Sequence, residues 1–423
     1  LLLRGGARAG PRRRPLESWP TRRLFPGAVL WEDTIDRERL CTLAAAQAQP
    51  AVELRRAIHR NPELGHQEKA TTALVAETLA SAGLEPSVRE AGTGLTVEVG
   101  ADGPLVAFRC DLDALPLDEA NVLPFRSQNP GIMHACGHDA HTAIGVGIAA
   151  TLAGLGDLPG RVRFLFQPAE EVIPGGAEAM RAEGVMVDVE AIIAFHVDPS
   201  IPPGSVGLRS DAITGASDRL HVVLEGPGGH TSRPHQTVDL LQAAARLIAD
   251  QPTHLRRLHD PRSALAADFG RVSGGSTENV IPARVELGGT VRLFDLAFWR
   301  GLPPLVERLV HEIAAPFGAT ARVTYERGAP PVVNDPEVVG VIRDAAAGIL
   351  GSASVVPTYQ SLGAEDFAWY LESAPGALIR LGSALPDRRV DLHSATFDLD
   401  ERAIGVGIEV GAAGLLRLLE TRS

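Results

Sequence analysis

Short apolar runs with the pattern of buried strands alternate along this chain with segments of helical periodicity, and several runs precede acidic or histidine side chains. Four strand-like runs are followed by such side chains. Residues 105–108 precede Asp111 and Asp113, residues 162–166 precede Glu170 and Glu171, residues 191–195 precede His196, and residues 377–381 precede a loop with His393. Open α/β sheets bind ligands beyond the carboxyl ends of their strands. The pattern therefore predicts an α/β fold with a mixed, mostly parallel sheet flanked by helices.

The order of predicted elements changes between residues 214 and 327, where strand, helix, two strands, helix and strand follow one another. This is the βαββαβ order of a ferredoxin-like α+β unit. We expect it to be a smaller domain inserted into a larger one, which then comprises residues 34–213 and 328–423. Residues 1–33 are rich in Arg and Pro and are predicted to form a disordered tail.

Composition narrows the classes of partner. The 423-residue chain has a formal net charge of -12, which argues against a nucleic-acid or anionic-membrane binder, because either would need a basic face. No apolar stretch approaches the roughly 20 residues needed to span a bilayer. Three cysteines cannot form a disulfide framework, so we expect a reducing compartment, the cytoplasm. A small-molecule or peptide substrate fits these properties better than nucleic acid or membrane.

Donor side chains of three kinds are predicted to meet at the sheet edge. They are the thiol, imidazole and carboxylate groups of Cys136, His138, Glu171, His196 and His393. This donor set suits Zn²⁺ or another divalent transition metal, whereas the softness of the sulfur argues against Mg²⁺ and Ca²⁺. One such histidine alone would more often be a hydrogen-bonded structural residue. The convergence of five candidates favours a metal site.

The carboxylate beside Glu171 is free for acid–base work if Glu171 binds a metal. Glu170 could then take a proton from a metal-activated water as it attacks a carbonyl, and later protonate the leaving amine. The competing interpretation is a solvated loop carboxylate. Asp113 and Asp139 could each orient a ligand or, equally well, cap a helix or a turn.

Three residues of the inserted unit are candidates for contact with a substrate. His230 lies in the flexible loop 228–235, while Asn279 and Arg292 supply an amide and a guanidinium. These groups could hold an oxyanion and a substrate carboxylate. A structural role in a turn is the alternative for each of them.

Together these residues and their surroundings resemble the M20 metallopeptidase family, in its amidohydrolase branch. That branch includes indole-acetyl-amino-acid hydrolases, hippurate hydrolases and N-acetyl-diaminopimelate deacetylases. The motifs that carry the resemblance are residues 54–56, 59–65, 109–116, 134–142, 167–171, 229–230, 279–282, 363–367 and 393–394. They extend over most of the chain and are highly specific in combination.

The resemblance implies a catalytic domain with two divalent metal ions, Zn, Mn or Co, and an inserted lid domain that mediates dimerisation. It implies that Glu170 is the general base and that Asp113 supports the metal site. His230 resembles the lid histidine that stabilises the oxyanion, commonly in the active site of the partner subunit. Asn279 and Arg292 resemble lid residues near the carboxylate end of the substrate. The implied metal ligands are Cys136, His138, Glu171, His196 and His393.

Two departures from the family pattern concern the pocket. Val-Ile-Pro at residues 172–174 stands where many relatives have glycines directly after the glutamate pair, which would stiffen and reshape one wall. Thr-Ser-Arg at residues 231–233 replaces the smaller residues often found after the lid histidine. Its arginine is either solvated or placed to meet an acidic group of the substrate.

The sequence therefore predicts a cytoplasmic metal-dependent amidohydrolase, a homodimer or a tetramer, that cleaves the amide bond of N-acyl amino acids or similar small amides. One alternative is a carboxypeptidase or dipeptidase of the same family, which a substrate panel distinguishes. Another is a catalytically silent metal-binding homologue. The presence of the base, the ligands and the lid histidine together disfavours the silent homologue.

Overall fold

The computed structural model of the protein describes residues 37–422, so the predicted disordered tail, residues 1–33, lies outside the described residues. The helices are α1 Arg37–Arg60, α2 Lys69–Ser81, α3 His138–Leu155, α4 Gly176–Ala182, α5 Leu240–Leu258, α6 Leu296–Ala314, α7 Pro336–Leu350 and α8 Arg402–Glu420. The strands are β1 Ser87–Val88, β2 Leu95–Val99, β3 Leu105–Asp111, β4 Arg161–Gln167, β5 Val189–Asp198, β6 Val206–Leu208, β7 Asp211–Ala212, β8 Ala216–Glu225, β9 Gly229–His230, β10 Leu265–Gly274, β11 Val280–Ile281, β12 Arg284–Leu293, β13 Thr320–Glu326, β14 Val333–Asn334, β15 Val355–Pro357 and β16 Gly376–Gly382. Within this described range, no helix combines the length and apolar character needed to cross a bilayer.

Eight strands form one mixed sheet in the order β1-β2-β4-β3-β5-β16-β6-β15. The central strands β4, β3, β5 and β16 are parallel to one another. Every residue of β3 is buried, as expected of a parallel strand covered on both faces. Helices α3 and α8 cover one face, where Gly411 of α8 leaves room for Ile148 of α3, and α4 covers the other. The predicted mixed α/β fold with helices flanking a large sheet is confirmed.

Four further strands form a second, antiparallel sheet in the order β10-β12-β8-β13. With α5 and α6 they follow the βαββαβ order expected from the sequence. This unit has an apolar core of its own, which includes Trp299 of α6. Leu240, Ala243, Ala244 and Leu247 of α5 also contribute to this core at helical spacing. The domain boundaries at residues 214 and 327 and the role of a lid stay predictions.

The parallel central strands bring their carboxyl ends to one edge of the large sheet. Asp111 at the end of β3 is in register with Gln167 at the end of β4, and His196 of β5 is in register with Arg380 of β16. His196 lies inside β5 rather than beyond it, because pairing with β16 continues through Asp198. Acidic, imidazole and guanidinium side chains thus share one edge of the sheet.

Replacement of Phe108 by Ala should destabilise this sheet, because Phe108 is 1% exposed and its ring centroid lies 6.0 Å from that of Phe164 and 5.5 Å from that of Phe195. The lost packing and the cavity left behind should lower the free energy of unfolding by about 3–5 kcal/mol, measured by urea denaturation. The control is Val122→Ala at a position that is 97% exposed, which should change it by less than about 0.5 kcal/mol. Equal stability of the two variants would contradict this packing.

Candidate metal centre

The loop before α3 brings a thiol and an imidazole to the sheet edge. Gly137, between Cys136 and His138, has a φ of 87°, in the left-handed region that glycine tolerates. A Cβ atom at this position would also clash with Cγ2 of Val197 on β5. The close approach of loop and strand leaves Sγ of Cys136 3.5 Å from Nε2 of His196. Both of these predicted ligands are buried.

Asp113 orients two of the predicted ligands. Nδ1 of His138 lies 3.0 Å from the carbonyl oxygen of Asp113 and 3.2 Å from its Oδ1, so Nδ1 donates and Nε2 is directed at the centre. The other carboxylate oxygen, Oδ2, accepts a hydrogen bond from the backbone N–H of Glu171 at 2.9 Å. These contacts suit a positioning role for Asp113.

Glu68, which the sequence did not single out, holds the turn that carries the glutamate pair. Its Oε1 accepts a hydrogen bond from the backbone N–H of Ala169 at 2.7 Å. Ala169 has a φ of 56°, which is uncommon for a residue with a Cβ atom. Burial raises the pKa of Glu68 to about 7. The two partners are 101 positions apart in the sequence, so no local pattern reveals this contact.

The five predicted ligands come together at this edge. Nε2 of His138 lies 3.9 Å from Oε1 of Glu171, and Nε2 of His393 lies 3.1 Å from the same oxygen. His393 is held there by a hydrogen bond from its backbone N–H to the carbonyl oxygen of Ala135 at 2.8 Å. Two groups of ligand atoms each lie within 4.8 Å of one another, those of Cys136, His138 and His196 and those of Cys136, Glu171 and His393.

Two buried atoms of this centre have no hydrogen-bond partner within residues 37–422, namely Nε2 of His138 and Oε1 of Glu171. Oε1 is close to His393 but outside hydrogen-bonding geometry. Buried polar atoms are almost always satisfied, so such orphans require an explanation. A cation would satisfy both atoms, and the sulfur, nitrogen and oxygen donors around them suit a divalent transition metal. The residues present therefore fit a metal ion.

The protonation equilibria of two proposed ligands reflect the acidic groups around them. Burial lowers the pKa of His138, but Asp111 opposes this and, with Cys136 and Asp113, raises that pKa well above its ordinary value. Burial and the carboxylate of Glu171 raise the pKa of the Cys136 thiol to about 12. A bound divalent cation would offset the acidic groups and favour the thiolate form of the cysteine.

Glu170 lies beside the predicted ligands in a position to transfer protons. Its Oε2 is 3.9 Å from Nε2 of His138, and its side chain is 10% exposed. Its Oε1 accepts a hydrogen bond from the backbone N–H of Asp366 at 3.4 Å. Burial, followed by the charges of Glu365, Glu171 and Asp366, raises the pKa of Glu170 well above its ordinary value. A raised pKa lets a carboxyl group take up and return a proton near neutral pH.

A further imidazole next to the centre, which was not among the predicted ligands, joins the ends of two strands. Nδ1 of His141 lies 2.7 Å from Oδ1 of Asp111, and its Nε2 accepts the backbone N–H of Val197 at 2.9 Å. Because Nε2 accepts, Nδ1 carries the proton and donates to the aspartate. The ring therefore ties the end of β3 to the backbone next to His196.

Asp139, considered above as a residue that orients a ligand, faces a different set of partners. Its Oδ2 accepts a hydrogen bond from Nε of Arg55 at 2.7 Å and lies 2.7 Å from Nδ1 of His59. Both partners belong to α1. Asp139 therefore anchors the start of α3 to α1.

A cavity of about 430 Å³ opens at the centre, and its lining includes four of the predicted ligands, Glu170 and Arg292. Arg292 donates from Nη1 to the carbonyl oxygen of Leu362 at 2.8 Å. His230 is exposed on β9, and Asn279 directly precedes the paired strand β11. Neither residue lines the cavity. Within a single chain, Arg292 therefore lines the cavity, whereas His230 and Asn279 do not.

The chain is similar to a known family of peptidases. The model described as Peptidase family M20/M25/M40 matches residues 107–417. An N-acyl-L-amino acid amidohydrolase of Geobacillus stearothermophilus is 38% identical over 301 residues, which are 70% of this chain and 81% of that protein. A Rhodococcus jostii protein that carries a glutamate–cysteine ligase name is 43% identical over 88% of this chain. The chain spans 47% of that protein's length.

Among solved structures, the YXEP protein of Bacillus subtilis, a dinuclear metal-binding peptidase of the M20 family, has a TM-score of 0.78 and 35% identity. The match covers 89% of this chain and 99% of that one. Together with the family match over residues 107–417, this confirms the resemblance stated from the motifs. The chain belongs to peptidase family M20/M25/M40 and is a metal-dependent hydrolase.

Proposed function

We propose that this chain hydrolyses the amide bond of N-acyl amino acids. The observation that carries the proposal is the pair of buried, orphaned ligand atoms, Nε2 of His138 and Oε1 of Glu171, beside the carboxyl group of Glu170 at the edge of one cavity. The similarity to a Geobacillus protein named as an N-acyl-L-amino acid amidohydrolase supports this substrate class. Two overlapping groups of donors, which share Cys136, support two divalent ions, Zn²⁺, Mn²⁺ or Co²⁺. The proposed ligands are Cys136, His138, Glu171, His196 and His393.

In the proposed mechanism, divalent ions held by Cys136, His138, Glu171, His196 and His393 would supply Lewis-acid polarisation of the attacking water and the scissile carbonyl. Glu170 takes the proton from the water and delivers it to the leaving amine. Its raised pKa suits this role, because the carboxyl group must hold the proton between the two steps. Asp113 keeps His138 and Glu171 in position throughout.

The cavity offers two kinds of surface to the substrate. Arg292 lines it from the second sheet, where the guanidinium would hold the carboxylate end of an N-acyl amino acid. Val172 and Ile173, which replace the usual glycines after the glutamate pair, also line it. Their side chains are partly exposed and give one wall an apolar surface for the rest of the substrate.

We further propose that the active enzyme is a homodimer. His230 lies outside the cavity of its own chain, so a second copy would have to supply this histidine to the oxyanion. The same unit exposes apolar side chains that support an interface, Leu241, Ile248, Val272 and Val280. Burial of such side chains is a main source of stability in dimer interfaces.

The direct test is amine release from N-acetyl, N-benzoyl and indole-acetyl amino acids and from dipeptides. Protein stripped with a chelator should release no amine, because the water is no longer polarised. Reloading with Zn²⁺, Mn²⁺ or Co²⁺ should restore hydrolysis of the N-acyl amino acids. A preference for dipeptides would identify a peptidase instead, and silence with every metal and substrate would contradict the proposal.

Glu170→Gln keeps the size of the side chain and removes the base. We expect kcat to fall about 10²- to 10⁴-fold, with the metal content, measured by atomic emission, unchanged. Glu178→Gln, at an exposed acid on α4, is the matched control and should keep the kcat of the parent. Unchanged turnover in Glu170→Gln on every substrate would remove Glu170 from the mechanism.

If His230 acts across a dimer, two impaired variants should rescue each other. Glu170→Gln and His230→Ala chains, co-expressed, form hybrid dimers in which one of the two sites keeps both residues. We expect about a quarter of the parent kcat, since half of the dimers are hybrids and each hybrid has one intact site. Glu170→Gln co-expressed with Glu170→Ala cannot rescue and is the control. Activity no higher than in this control would show that His230 does not act in the second chain's site.

A further inference from the structure

Arg380 lies on the large-sheet wall of the cavity. It pairs in parallel register with His196, so the two side chains project from the same face of the sheet. The residue is 6% exposed, and its Nε has no hydrogen-bond partner. Within residues 37–422, no carboxylate forms an ion pair with it. Arg380 is therefore a buried cation without a counterion in the part of the chain that the structure describes.

The other buried arginines of the described chain each form ion pairs with carboxylates. Arg55 has Asp139 at 2.7 Å and Glu401 at 3.2 Å, and Arg109 has Asp111 at 2.7 Å together with Glu365 and Asp366. Removing a guanidinium from water without a partner is unfavourable, so buried arginines are normally paired in this way. Arg380 departs from the rule at the wall of the active-site cavity.

Metal binding would add to the positive charge around Arg380. His196, the neighbour of Arg380 in the register of β5 and β16, is one of the proposed ligands. Divalent ions in the centre would repel the guanidinium further. An anion contributed by the substrate would offset both charges.

Asp198 is the carboxylate of the protein itself that could serve as the counterion of Arg380. It lies two residues beyond His196 on β5, and its Oδ2 is buried without a hydrogen-bond partner. Its Oδ1, however, is already engaged with the hydroxyl of Ser200 at 2.6 Å, and Asp198 makes no ion pair with Arg380. The guanidinium thus remains available to a ligand in the cavity.

The second sheet also contributes cations to the cavity lining. Arg292 of β12 and Arg219 of β8 both line it from the second sheet. A substrate in the cavity would therefore meet positive charge from both sheets. The α-carboxylate proposed for Arg292 accounts for the charge on the second sheet only.

We infer that Arg380 binds a second carboxylate of the substrate, so that the preferred N-acyl amino acids are dianionic. The second carboxylate belongs either to the acyl group or to the side chain of the amino acid. This inference rests on the proposed function and names the substrate class of the same site. Arg380 acts here as a specificity-determining residue, with no part in proton transfer.

Pairs of substrates that differ only in charge test the inference. N-acetyl-L-glutamate is compared with N-acetyl-L-glutamine, and N-succinyl-L-alanine with the terminal amide of the same compound. In the parent protein we expect kcat/KM for the acid of at least one pair to exceed that of its amide by at least about tenfold. The pair that shows the preference identifies which half of the substrate carries the second carboxylate.

The variant Arg380→Met should reduce this acid-to-amide ratio to near one, and Arg380→Lys should restore part of it, because the charge returns without the planar fork. The control is Arg402→Met. Arg402 is an exposed residue at the start of α8 that pairs with Asp400, and this variant should keep the parent acid-to-amide ratio. A parent ratio near one in both pairs, an unchanged ratio in Arg380→Met, or an equal loss on acid and amide would each overturn the inference.

A binding measurement decides the matter even if Arg380→Met fails to fold or no substrate is cleaved. Calorimetry on the metal-loaded parent protein should show that glutarate binds at least about tenfold more tightly than its half-amide. Equal affinity would overturn the inference. If the neutral amides are cleaved without any preference for acids, the proposed function stands and only this inference fails; if nothing is cleaved, the proposed function fails by itself.

Discussion

The site depends on one buried guanidinium, that of Arg109 on β3. It donates to Oε1 of Gln167 at 2.9 Å, to Oδ2 of Asp111 at 2.7 Å and to Oδ1 of Asp366 at 2.8 Å, and it lies 3.0 Å from Glu365. Burial lowers the pKa of Arg109, but Glu365, Asp111 and Asp366 outweigh burial and hold it well above its ordinary value. This fixed cation lets several carboxylates share a dry region that would otherwise repel them.

The contacts of Arg109 extend to both halves of the proposed chemistry. On one side, Asp111 binds His141, which accepts the backbone N–H of Val197 next to His196. On the other side, the backbone N–H of Asp366 reaches Glu170. The end of β5 that carries the proposed ligand His196 and the proposed base are thus positioned by one hydrogen-bond network. The remaining negative charge and the orphaned donor atoms at its centre are what a divalent cation would satisfy.

Features set by local sequence were predictable, and features set by distant contacts were not. The proposed ligands lie at strand ends and in the 134–142 motif, so spacing and residue type indicated them, and the βαββαβ order followed from periodicity. The bond between Glu68 and Ala169 and the exposure of Arg380 to the cavity depend on how distant segments meet. Sequence also placed His196 after its strand, because it could not show that β5 continues to Asp198. His230 matched a motif whose histidine commonly acts in the partner subunit's site, and it does not line the cavity of its own chain.

The central claim is that this edge of the sheet holds the metal ions, and anomalous X-ray scattering from crystals grown with Zn²⁺ tests it most directly. The account predicts two peaks at the zinc edge, each about 2.0–2.3 Å from its sulfur, nitrogen or oxygen donors. The donors should be drawn from Cys136, His138, Glu171, His196 and His393. Absence of a peak at this centre, with zinc bound elsewhere or not at all, would contradict the account.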